Sequence, residues 1–319
     1  MATSIDAEFE RRTDPHRREL LAHCYRMLGS IHDAEDLLQE TLLRAWRAYD
    51  RFDDHRASLR TWLYRIATNA CLTALEGRSR RPLPSGLGAP SDDPTEPLIR
   101  GVEVPWLQPF PDTRSSNDPA ARGSMRLAFV AAMQLLPARQ RAILILRDVL
   151  ELPAAEVAET LGTTVAAVNS GLQRARAKLD DVVEDQVAEP ADRDRRALVD
   201  RYVTAFENAD VIALTRLLTD DVVLEMPPMR NWYLGRADYG RFMARVFEVR
   251  GPHWRMIHTS ANGQPALAAY ARADDGEYHL HTLQVLTVTT AGISHNVVFQ
   301  DEKLSTTFAL PSTVPIPHR

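Results

Sequence analysis

The chain has 319 residues, 45% of them hydrophobic, a length and composition that predict two or three soluble domains. Its formal net charge of -5 at pH 7 argues against a protein that coats nucleic acid indiscriminately. No apolar run approaches the ~20 residues of a membrane span and the charged N-terminus has no signal-peptide core, so we expect a cytoplasmic protein. Cys24 and Cys71 form no CxxC motif, so neither a disulfide framework nor a cysteine zinc site is supported, and we expect no metal and no cofactor.

The first stretch of the chain is predicted to be helical. One amphipathic stripe contains Leu20, Leu21, Tyr25 and Leu28 and stops at Gly29. A second helix over 32–49 has acids at its start and arginines toward its end, the polarity that the helix dipole favours. After a polar loop, a third helix over 59–76 leads into the basic run 77–81. Its plausible core positions are Trp62, Ile66, Ala70 and Leu75.

Residues 82–118 differ in kind, because they are dense in proline, glycine and acids and have no apolar period. Such a segment stays extended and cannot bury enough apolar surface to fold alone. The apolar and aromatic motif VPWLQPFP within it supplies the candidate regulatory residues Val104, Pro105, Trp106 and Leu107. Two interpretations stay open: a local clasp onto a neighbouring domain, or a docking motif for a C-terminal domain or a protein partner.

Residues 152–179 are typical of a helix-turn-helix, and two further amphipathic helices precede them. Pro153 suits a first helical turn, and Gly162 can adopt a positive φ and end that helix. Thr163 or Thr164 can then cap a second helix. That helix is predicted to bury Val165, Val168, Leu172 and Leu179.

The second helix carries side chains suited to a DNA major groove. Asn and Gln can bond bidentately to adenine, Arg to guanine, and trailing cations to phosphates. The candidate groove residues are Asn169, Ser170, Gln173, Arg174, Arg176 and Lys178. An ordinary helical hairpin with a solvated basic face is the alternative.

Two motifs, DAEDLLQETLLRAW and FDDHRASLRTWLYRIATNACL, resemble region 2 of bacterial sigma factors of the extracytoplasmic-function type, and the helix-turn-helix resembles their region 4. The resemblance implies two all-α domains whose partners are core RNA polymerase and promoter DNA. In that family region 2 grips polymerase and captures a melted base of the minus-10 element, while region 4 binds the duplex minus-35 element. Polymerase therefore becomes a candidate partner of the linker motif as well.

The same resemblance assigns residues by position. The polymerase-binding helix is matched by Asp33, Asp36, Gln39, Glu40 and Arg44. The loop 51–60, the adjoining helix and the basic run give the minus-10 set Arg60, Trp62, Arg65, Asn69, Arg78, Arg80 and Arg81. A captured base needs a stacking surface, an edge partner and cations, which this set offers. A solvated charged face and a core role for Trp62 are the alternatives.

After an acidic stretch the chain changes class. We predict helices over 193–209, 211–218 and 236–249, and strands over 221–226, 253–259, 265–272, 278–289 and 293–299. Helices followed by a curved antiparallel sheet make an α+β cone. This order, with AFENADVIALTRLLTDDVVLEMPP, resembles the SnoaL-like, NTF2-like superfamily, which is often fused to this kind of sigma factor.

That fold encloses a pocket in which some members use Asp, His or Tyr as acid or base. The acid–base candidates are Asp220, Asp221, Tyr233, His258, His279, His281 and His295, and the predicted pocket set is Met226, Trp232, Tyr233, His279 and His281. The period of two puts His279 and His281 on one strand face, as in a metal or acid–base pair, but no third ligand is evident. Solvated or core histidines are therefore favoured, in a regulatory domain that senses a small-molecule effector.

These patterns predict a multidomain fold of two all-α sigma domains followed by an α+β NTF2-like cone. The expected boundaries are 1–81 for region 2, 82–118 for the linker, 119–182 for region 4, 183–192 for a second linker, 193–310 for the SnoaL-like domain and 311–319 for a tail. We expect a sigma factor regulated in cis by its C-terminal domain, and no catalytic residue. The alternatives are a stand-alone helix-turn-helix regulator and an NTF2-like isomerase or cyclase fused to a DNA-binding module.

Overall fold

The structure is a computed structural model that describes residues 4–55, 57–115, 123–180 and 190–315. The described residues fall into two compact units, the first within Met1–Arg81 and Leu107–Glu184, the second within Pro82–Trp106 and Asp185–Arg319. Most of the predicted second linker, the last three residues of the first linker and the end of the predicted tail lie outside the described residues.

The N-terminal part of the first unit is a set of four helices: α1 (Ser4–Thr13), α2 (Arg17–Leu28), α3 (Ile31–Arg47) and α4 (Leu59–Leu75). Gly29 ends α2 at a φ of +68°, and Ser30 caps α3 by accepting a hydrogen bond from the Asp33 amide at 3.2 Å. The predicted α2 stripe is buried. On α4 the buried face is centred on Leu63 and Ala67, so Trp62, Ile66 and Leu75 are only partly buried.

The rest of the first unit contains α5 (Leu127–Gln134), α6 (Ala138–Leu144, continued by a π-helical turn over Ile145–Val149), α7 (Ala154–Thr160) and α8 (Val165–Asp180). Gly162 has a φ of +58° in the α7–α8 turn, and Thr164 Oγ1 accepts a hydrogen bond from the Ala167 amide at 3.2 Å. The prediction that Val165 is buried is wrong, since it is 43% exposed. It stands at the first turn of α8, outside the buried stripe that starts at Val168.

Arg141 on α6 is a buried cation that serves the ends of two other helices. Its guanidinium donates to the carbonyl oxygens of Met27 on α2 and of Met133, Gln134 and Leu136 at the end of α5. It also donates to Gln134 Oε1 at 2.6 Å. Carbonyls in a last helical turn have no partner within their own helix, so Arg141 supplies those partners where water is excluded.

The second unit contains α9 (Asp192–Glu207), α10 (Val211–Thr215), α11 (Arg236–Arg250), α12 (Leu304–Thr307), β1 (Leu218–Glu225), β2 (Trp232–Leu234), β3 (Trp254–Ala261), β4 (Gln264–Arg272), β5 (Tyr278–Thr289), β6 (Gly292–Phe299) and β7 (Thr313–Val314). The sheet order is β2-β1-β6-β5-β4-β3, with β7 paired to β5. The expectation of a wholly antiparallel sheet is wrong, because β1 runs parallel to β6. No hairpin joins these two strands, so their direction is not constrained by a tight turn.

The core of the second unit lies between the helices and one face of the sheet. Tyr202 and Phe206 of α9 and Tyr239 of α11 are almost fully buried there, with Leu267 and Leu286 from the sheet. Helices packed on one face of a mostly antiparallel sheet are the predicted α+β arrangement, which is confirmed. No helix in the described part of the chain is long and apolar enough to span a membrane, and its His, Cys, Asp and Glu residues form no group of three placed to hold a metal.

Residues 82–106, which belong to the predicted linker, lie along the sheet edge of the second unit. The Ser91 amide donates to the Trp232 carbonyl at 2.8 Å, the Gly101 amide to the Pro228 carbonyl at 2.9 Å, and the Arg230 amide to the Ile99 carbonyl at 2.7 Å. These bonds pair the segment with β2 and the residues before it, and so cover an edge strand that would otherwise expose its backbone groups. We call residues 82–106 the docked segment.

Candidate functional site

The predicted groove-reading residues are exposed along α8, opposite the buried Val168, Leu172 and Ala175. The exposed set is Asn169, Ser170, Gln173, Arg174, Arg176 and Lys178. Ser170 Oγ accepts a hydrogen bond from Arg174 Nη1 at 2.6 Å, which orients that guanidinium. Gly171, a weak residue for a helix interior, is explained by packing: a Cβ there would lie 2.6 Å from Ile143 Cδ1.

Arg176 differs from its neighbours on α8. Two of its guanidinium nitrogens donate to the Asp148 carboxylate at 2.7 and 2.8 Å. Asp148 belongs to the π-helical turn after α6, so this bidentate pair fixes α8 against α6. The predicted phosphate contact at Arg176 is therefore already engaged within the protein.

The outer face of α3 combines charge with exposed apolar surface. Asp36 and Gln39 are exposed, and Glu40 and Arg44 form an i,i+4 ion pair at 2.7 Å. Leu43, 41% exposed, belongs to the same stripe, seven residues after Asp36. The sequence-based set omitted Leu43 and its neighbour Trp46, which is 47% exposed. The sequence contained a signal for Leu43, because Asp36, Gln39 and Leu43 are spaced i, i+3, i+7 and so share one helix face.

Asp33, predicted to contact polymerase, is engaged within the first unit. Its carboxylate accepts hydrogen bonds from Arg78 at 2.9 Å and from Arg81 at 2.8 Å. Arg78 and Arg81 were predicted to contact minus-10 phosphates, so the structure brings two separately assigned groups together. Arg80 is exposed.

The predicted base-capturing surface is built on an aromatic cluster. The Trp62 ring contacts Phe52 with centroids 4.9 Å apart, Phe52 lies 6.3 Å from Tyr49, and the Arg12 guanidinium covers Phe52 at 5.6 Å. Trp62 is only partly buried, so it belongs neither wholly to the core nor to the surface.

Two other members of the minus-10 set have different surroundings. Arg60 Nε donates to Glu19 Oε2 at 2.8 Å and its guanidinium stacks 4.9 Å above the Tyr64 ring, so Arg60 joins α4 to α2. Asn69 is exposed on α4.

A cleft of about 280 Å³ adjoins Trp62. Arg65 and Trp62 lie on one side of it, and Glu156, Glu159 and Thr160 of α7 lie on the other. Arg65 Nη1 is 3.2 Å from Glu159 Oε1. The two carboxylates disfavour a nucleic-acid backbone beside them, because like charges repel. In this arrangement the helix-turn-helix occupies part of the surface predicted to capture a base.

The motif VPWLQPFP is divided between the two units. In the second unit, Val104 and Pro105 are partly buried and Trp106 Nε1 donates to the Gly101 carbonyl at 2.9 Å. In the first unit, Leu107 is 1% exposed, and the carbonyl of the following Gln108 accepts a hydrogen bond from Tyr25 Oη at 2.7 Å. Both halves of the motif are therefore anchored.

The second unit contains a cavity of about 260 Å³ between α11 and the sheet. Of the five predicted pocket residues, Met226 and His281 line it. Tyr233 is fully buried beside Phe242, Trp232 Nε1 donates to the Gly88 carbonyl of the docked segment at 2.9 Å, and His279 pairs with Asp275 at 2.7 Å near the surface.

The prediction that His279 and His281 share a strand face is wrong. On β4 the successive residues Ala269 and Tyr270 pair with Thr282 and Leu280 of β5, so His281 is the extra residue of a β-bulge. A bulge breaks the period-two alternation that the prediction assumed. His281 consequently packs against Trp254 at 5.6 Å, and burial, with the nearby charge of Arg250, lowers its pKa to about 4.

The remaining acid–base candidates are dispersed. Asp220 and Asp221 are exposed, and His258 lies 3.5 Å from Asp200 at the surface. His295 instead meets Glu225, which was not predicted: His295 Nε2 is 2.8 Å from Glu225 Oε2, and Glu225 Oε1 accepts a hydrogen bond from the Ser85 amide at 2.7 Å. The sequence did contain a signal for Glu225, because a glutamate that follows the apolar run VVL in a strand is a candidate for a buried, partnered carboxylate.

Comparison with known proteins gives three family matches: Sigma-70 region 2 over residues 13–81, Sigma-70, region 4 over 126–179, and the SnoaL-like domain over 199–296. The ECF RNA polymerase sigma factor SigG of Mycobacterium tuberculosis is 50% identical over 317 residues, covering 96% of this chain and 85% of SigG. SigW of Bacillus subtilis, also an ECF sigma factor, is 30% identical over 168 residues, covering 52% of this chain and 83% of SigW. The crystal structure of the extracytoplasmic function sigma factor SigJ of M. tuberculosis has a TM-score of 0.64 at 23% identity, covering 96% of this chain and 99% of SigJ, which shows a common fold.

Proposed function

This chain belongs to the ECF RNA polymerase sigma factors, and from that membership we propose how its surfaces divide the work of transcription initiation. It is a promoter-recognition subunit whose partners are core RNA polymerase and promoter DNA. The observation that carries this function is the presence of regions 2 and 4 in sigma-factor order, together with an exposed reading helix, α8.

Each surface has a proposed role. Asn169, Gln173 and Arg174 read minus-35 base edges, while Lys178 contacts phosphates. Trp62, Arg65 and Asn69 capture the melted minus-10 strand. Asp36, Gln39, Glu40, Leu43 and Arg44 bind core polymerase, and Asp33 instead anchors the basic run through Arg78 and Arg81.

In vitro transcription with core RNA polymerase tests this function directly. The full chain and a truncation ending near residue 185 are compared on promoters selected from genomic DNA. Specific initiation by the full chain is the expected result. A chain that binds DNA as a dimer but never binds core polymerase would contradict the sigma assignment and favour a stand-alone regulator.

Arg174→Ala should weaken binding to the selected minus-35 duplex about tenfold and relax base preference at one position, because a bidentate contact to a base edge is lost. Lys178→Ala should weaken binding to all sequences similarly and reduce its salt dependence, because a phosphate contact carries no sequence information. Fluorescence anisotropy over a panel of single-base variants distinguishes the two. Equal effects of both substitutions on every duplex would refute base reading by Arg174.

We also propose that the SnoaL-like domain regulates initiation in cis through the docked segment. That segment is part of the chain that connects region 2, which ends at residue 81, to region 4, which begins at residue 126. Side chains of the second unit hold it: Asn231 Oδ1 accepts from the Ile99 amide at 2.7 Å, and Arg245 donates to the carbonyls of Pro94 and Glu96 at 2.9 and 2.5 Å. A change in this docking alters how much free chain joins the two DNA-binding regions.

Acid should loosen one of these attachments. Burial alone would raise the pKa of Glu225, but its bonds with His295 and the Ser85 amide outweigh burial and lower it below the usual range. A carboxyl whose pKa is depressed by folding contributes stability above its unfolded value of about 4.3, and that contribution is lost as pH falls through the folded pKa. Chemical denaturation between pH 7 and pH 3 should show this loss, and the hydrogen-exchange protection factor of the Ser85 amide, which corrects for the slower intrinsic exchange at low pH, should fall over the same range. In Glu225→Gln both dependences should be flatter, and an unchanged pH profile in that variant would contradict the assignment.

We propose that the protein acts in the cytoplasm, where its polymerase partner works. The C-terminal domain is proposed to bind a small molecule rather than to catalyse a reaction. No Asp or Glu is among the described residues that line its cavity, and His281, with a pKa of about 4, is a weak base. General acid–base catalysis near neutral pH needs a group whose pKa lies closer to 7.

A further inference from the structure

Two polar residues that line the cavity, Gln284 and Asn296, belong to a buried hydrogen-bond cluster with Tyr202 and Tyr239. Asn296 Nδ2 lies 2.8 Å from Tyr239 Oη, Tyr239 Oη lies 2.8 Å from Tyr202 Oη, and Tyr202 Oη donates to Gln284 Oε1 at 2.8 Å. One direction of donation satisfies this chain, from Asn296 through both tyrosines to Gln284. Every hydroxyl proton in the cluster then has an acceptor.

The cluster leaves one acceptor over. Asn296 is 1% exposed and lines the cavity, and its Oδ1 is buried without a hydrogen-bond partner among the described residues. A buried carbonyl oxygen is normally paired, because an unpaired one keeps the full cost of leaving water. The side-chain nitrogen of Asn296, Nδ2, lies within hydrogen-bond distance of Tyr202, Tyr239 and Gln284. The amide group therefore cannot rotate to give Oδ1 another partner without breaking these hydrogen bonds.

The walls of the cavity define what else its occupant must be. Phe206, Met243 and Trp254 are among its lining residues and are apolar or aromatic. Its charged lining residues within the described chain are Arg245, which is partly buried, and Arg250, at the exposed end of α11, and His281 is neutral at pH 7. A volume of about 260 Å³ is below the ~300–1,000 Å³ of drug-sized sites, so a small molecule fits. A cationic ligand is disfavoured by the two arginines.

We propose that this cavity binds a small, mainly apolar molecule without positive charge that carries a hydroxyl of the phenol class, which donates a hydrogen bond to Asn296 Oδ1. Leu98 of the docked segment also lines the cavity, so the bound molecule contacts that segment directly. A ligand in the cavity then stabilises the docked segment on the second unit, an inference that rests on the proposed regulation in cis.

Three matched probes test the binding on the full chain by isothermal titration calorimetry: 2-naphthol, which offers a donor, 2-methoxynaphthalene, which offers only an acceptor, and naphthalene, which offers neither. We expect 2-naphthol to bind at least tenfold more tightly than the other two, a difference of about 1.4 kcal/mol. Equal affinities for the three, or tighter binding of 2-methoxynaphthalene, would overturn the role of Asn296 Oδ1. No binding of any probe would overturn the site.

Two variants on α11 locate the binding. Val246 lines the cavity, whereas Ala244 is exposed on the same helix. Val246→Phe should abolish 2-naphthol binding by filling the space, and Ala244→Phe should leave it unchanged. Retained binding in Val246→Phe, with the same melting temperature as the parent, would place the probe elsewhere.

Hydrogen exchange separates ligand binding from regulation. With 2-naphthol bound, the amides of Ile99 and Gly101, which bond to Asn231 and Pro228, should exchange more slowly. Binding without slower exchange there would refute the coupling to the docked segment while leaving the ligand site standing. Slower exchange without any effect on transcription would refute regulation through the segment.

Discussion

Replacing Arg141 by methionine should lower the free energy of unfolding of the first unit by about 3–5 kcal/mol, the largest effect that we expect from a single substitution. The methionine fills similar volume but donates no hydrogen bond, so four backbone carbonyls and Gln134 Oε1 lose a donor where water cannot replace it. Burial, together with the charge of Arg80, lowers the pKa of Arg141 to about 10, which still leaves it protonated at pH 7. Denaturation in urea followed by far-UV circular dichroism measures the change.

Arg139→Met is the matched control, because Arg139 lies on the same helix and is exposed. It should change the free energy of unfolding by about 0.5 kcal/mol or less. Similar losses in the two variants would show that the hydrogen bonds of Arg141 contribute little. Because Arg141 bridges the end of α2 and the end of α5, we also expect Arg141→Met to speed hydrogen exchange in both helices.

Replacing Leu43 by serine should weaken binding to core RNA polymerase about 30-fold, the largest effect that we expect on binding to a macromolecular partner. Burying a leucine side chain contributes about 2 kcal/mol, and Leu43 stands among the proposed polymerase contacts with 41% of its surface still available. Its exposure also means that the isolated chain should keep its stability. Titration of labelled core polymerase with each variant gives the affinity, and a melting curve tests the stability.

Val165→Ser provides the comparison, since Val165 is another aliphatic residue of the first unit with 43% exposure. Val165 lies at the start of α8 and not on the exposed stripe of α3, so Val165→Ser should leave the affinity for polymerase unchanged. Its effect on DNA binding is measured in a separate experiment. If Leu43→Ser bound polymerase as tightly as the parent, the exposed stripe of α3 would not be the docking face.

Local patterns were sufficient to predict most elements of the fold and the exposed polar face of α8. The α2 stripe, the positive φ of Gly162 and the cap by Thr164 all follow from side-chain chemistry within one or two helical turns. The exposure of Asn169, Gln173 and Arg174 follows from the same period that buries Val168 and Leu172. Such features need no knowledge of distant residues.

Other features depend on contacts that sequence spacing does not contain. The bulge at His281 arises from the pairing register with β4, and it separates two histidines that a regular strand would align. Arg78 and Arg81 lie 45 and 48 residues after Asp33 along the chain, so their pairing with Asp33 was not visible when each was assigned to a ligand. The docked segment lacks an apolar period of its own, and it is ordered by a sheet edge formed more than a hundred residues later.

The cleft beside Trp62 bears on the order of promoter contacts under the roles proposed for its residues. In the described first unit, the residues of α8 proposed to read duplex DNA are exposed, whereas Arg65, proposed to hold the melted strand, is paired with Glu159 of α7. On these roles a duplex meets free side chains, but a melted strand has to displace a carboxylate from Arg65. Both partners of the ion pair are largely exposed, so this displacement costs at most about 1 kcal/mol and biases the order of contacts without blocking strand capture.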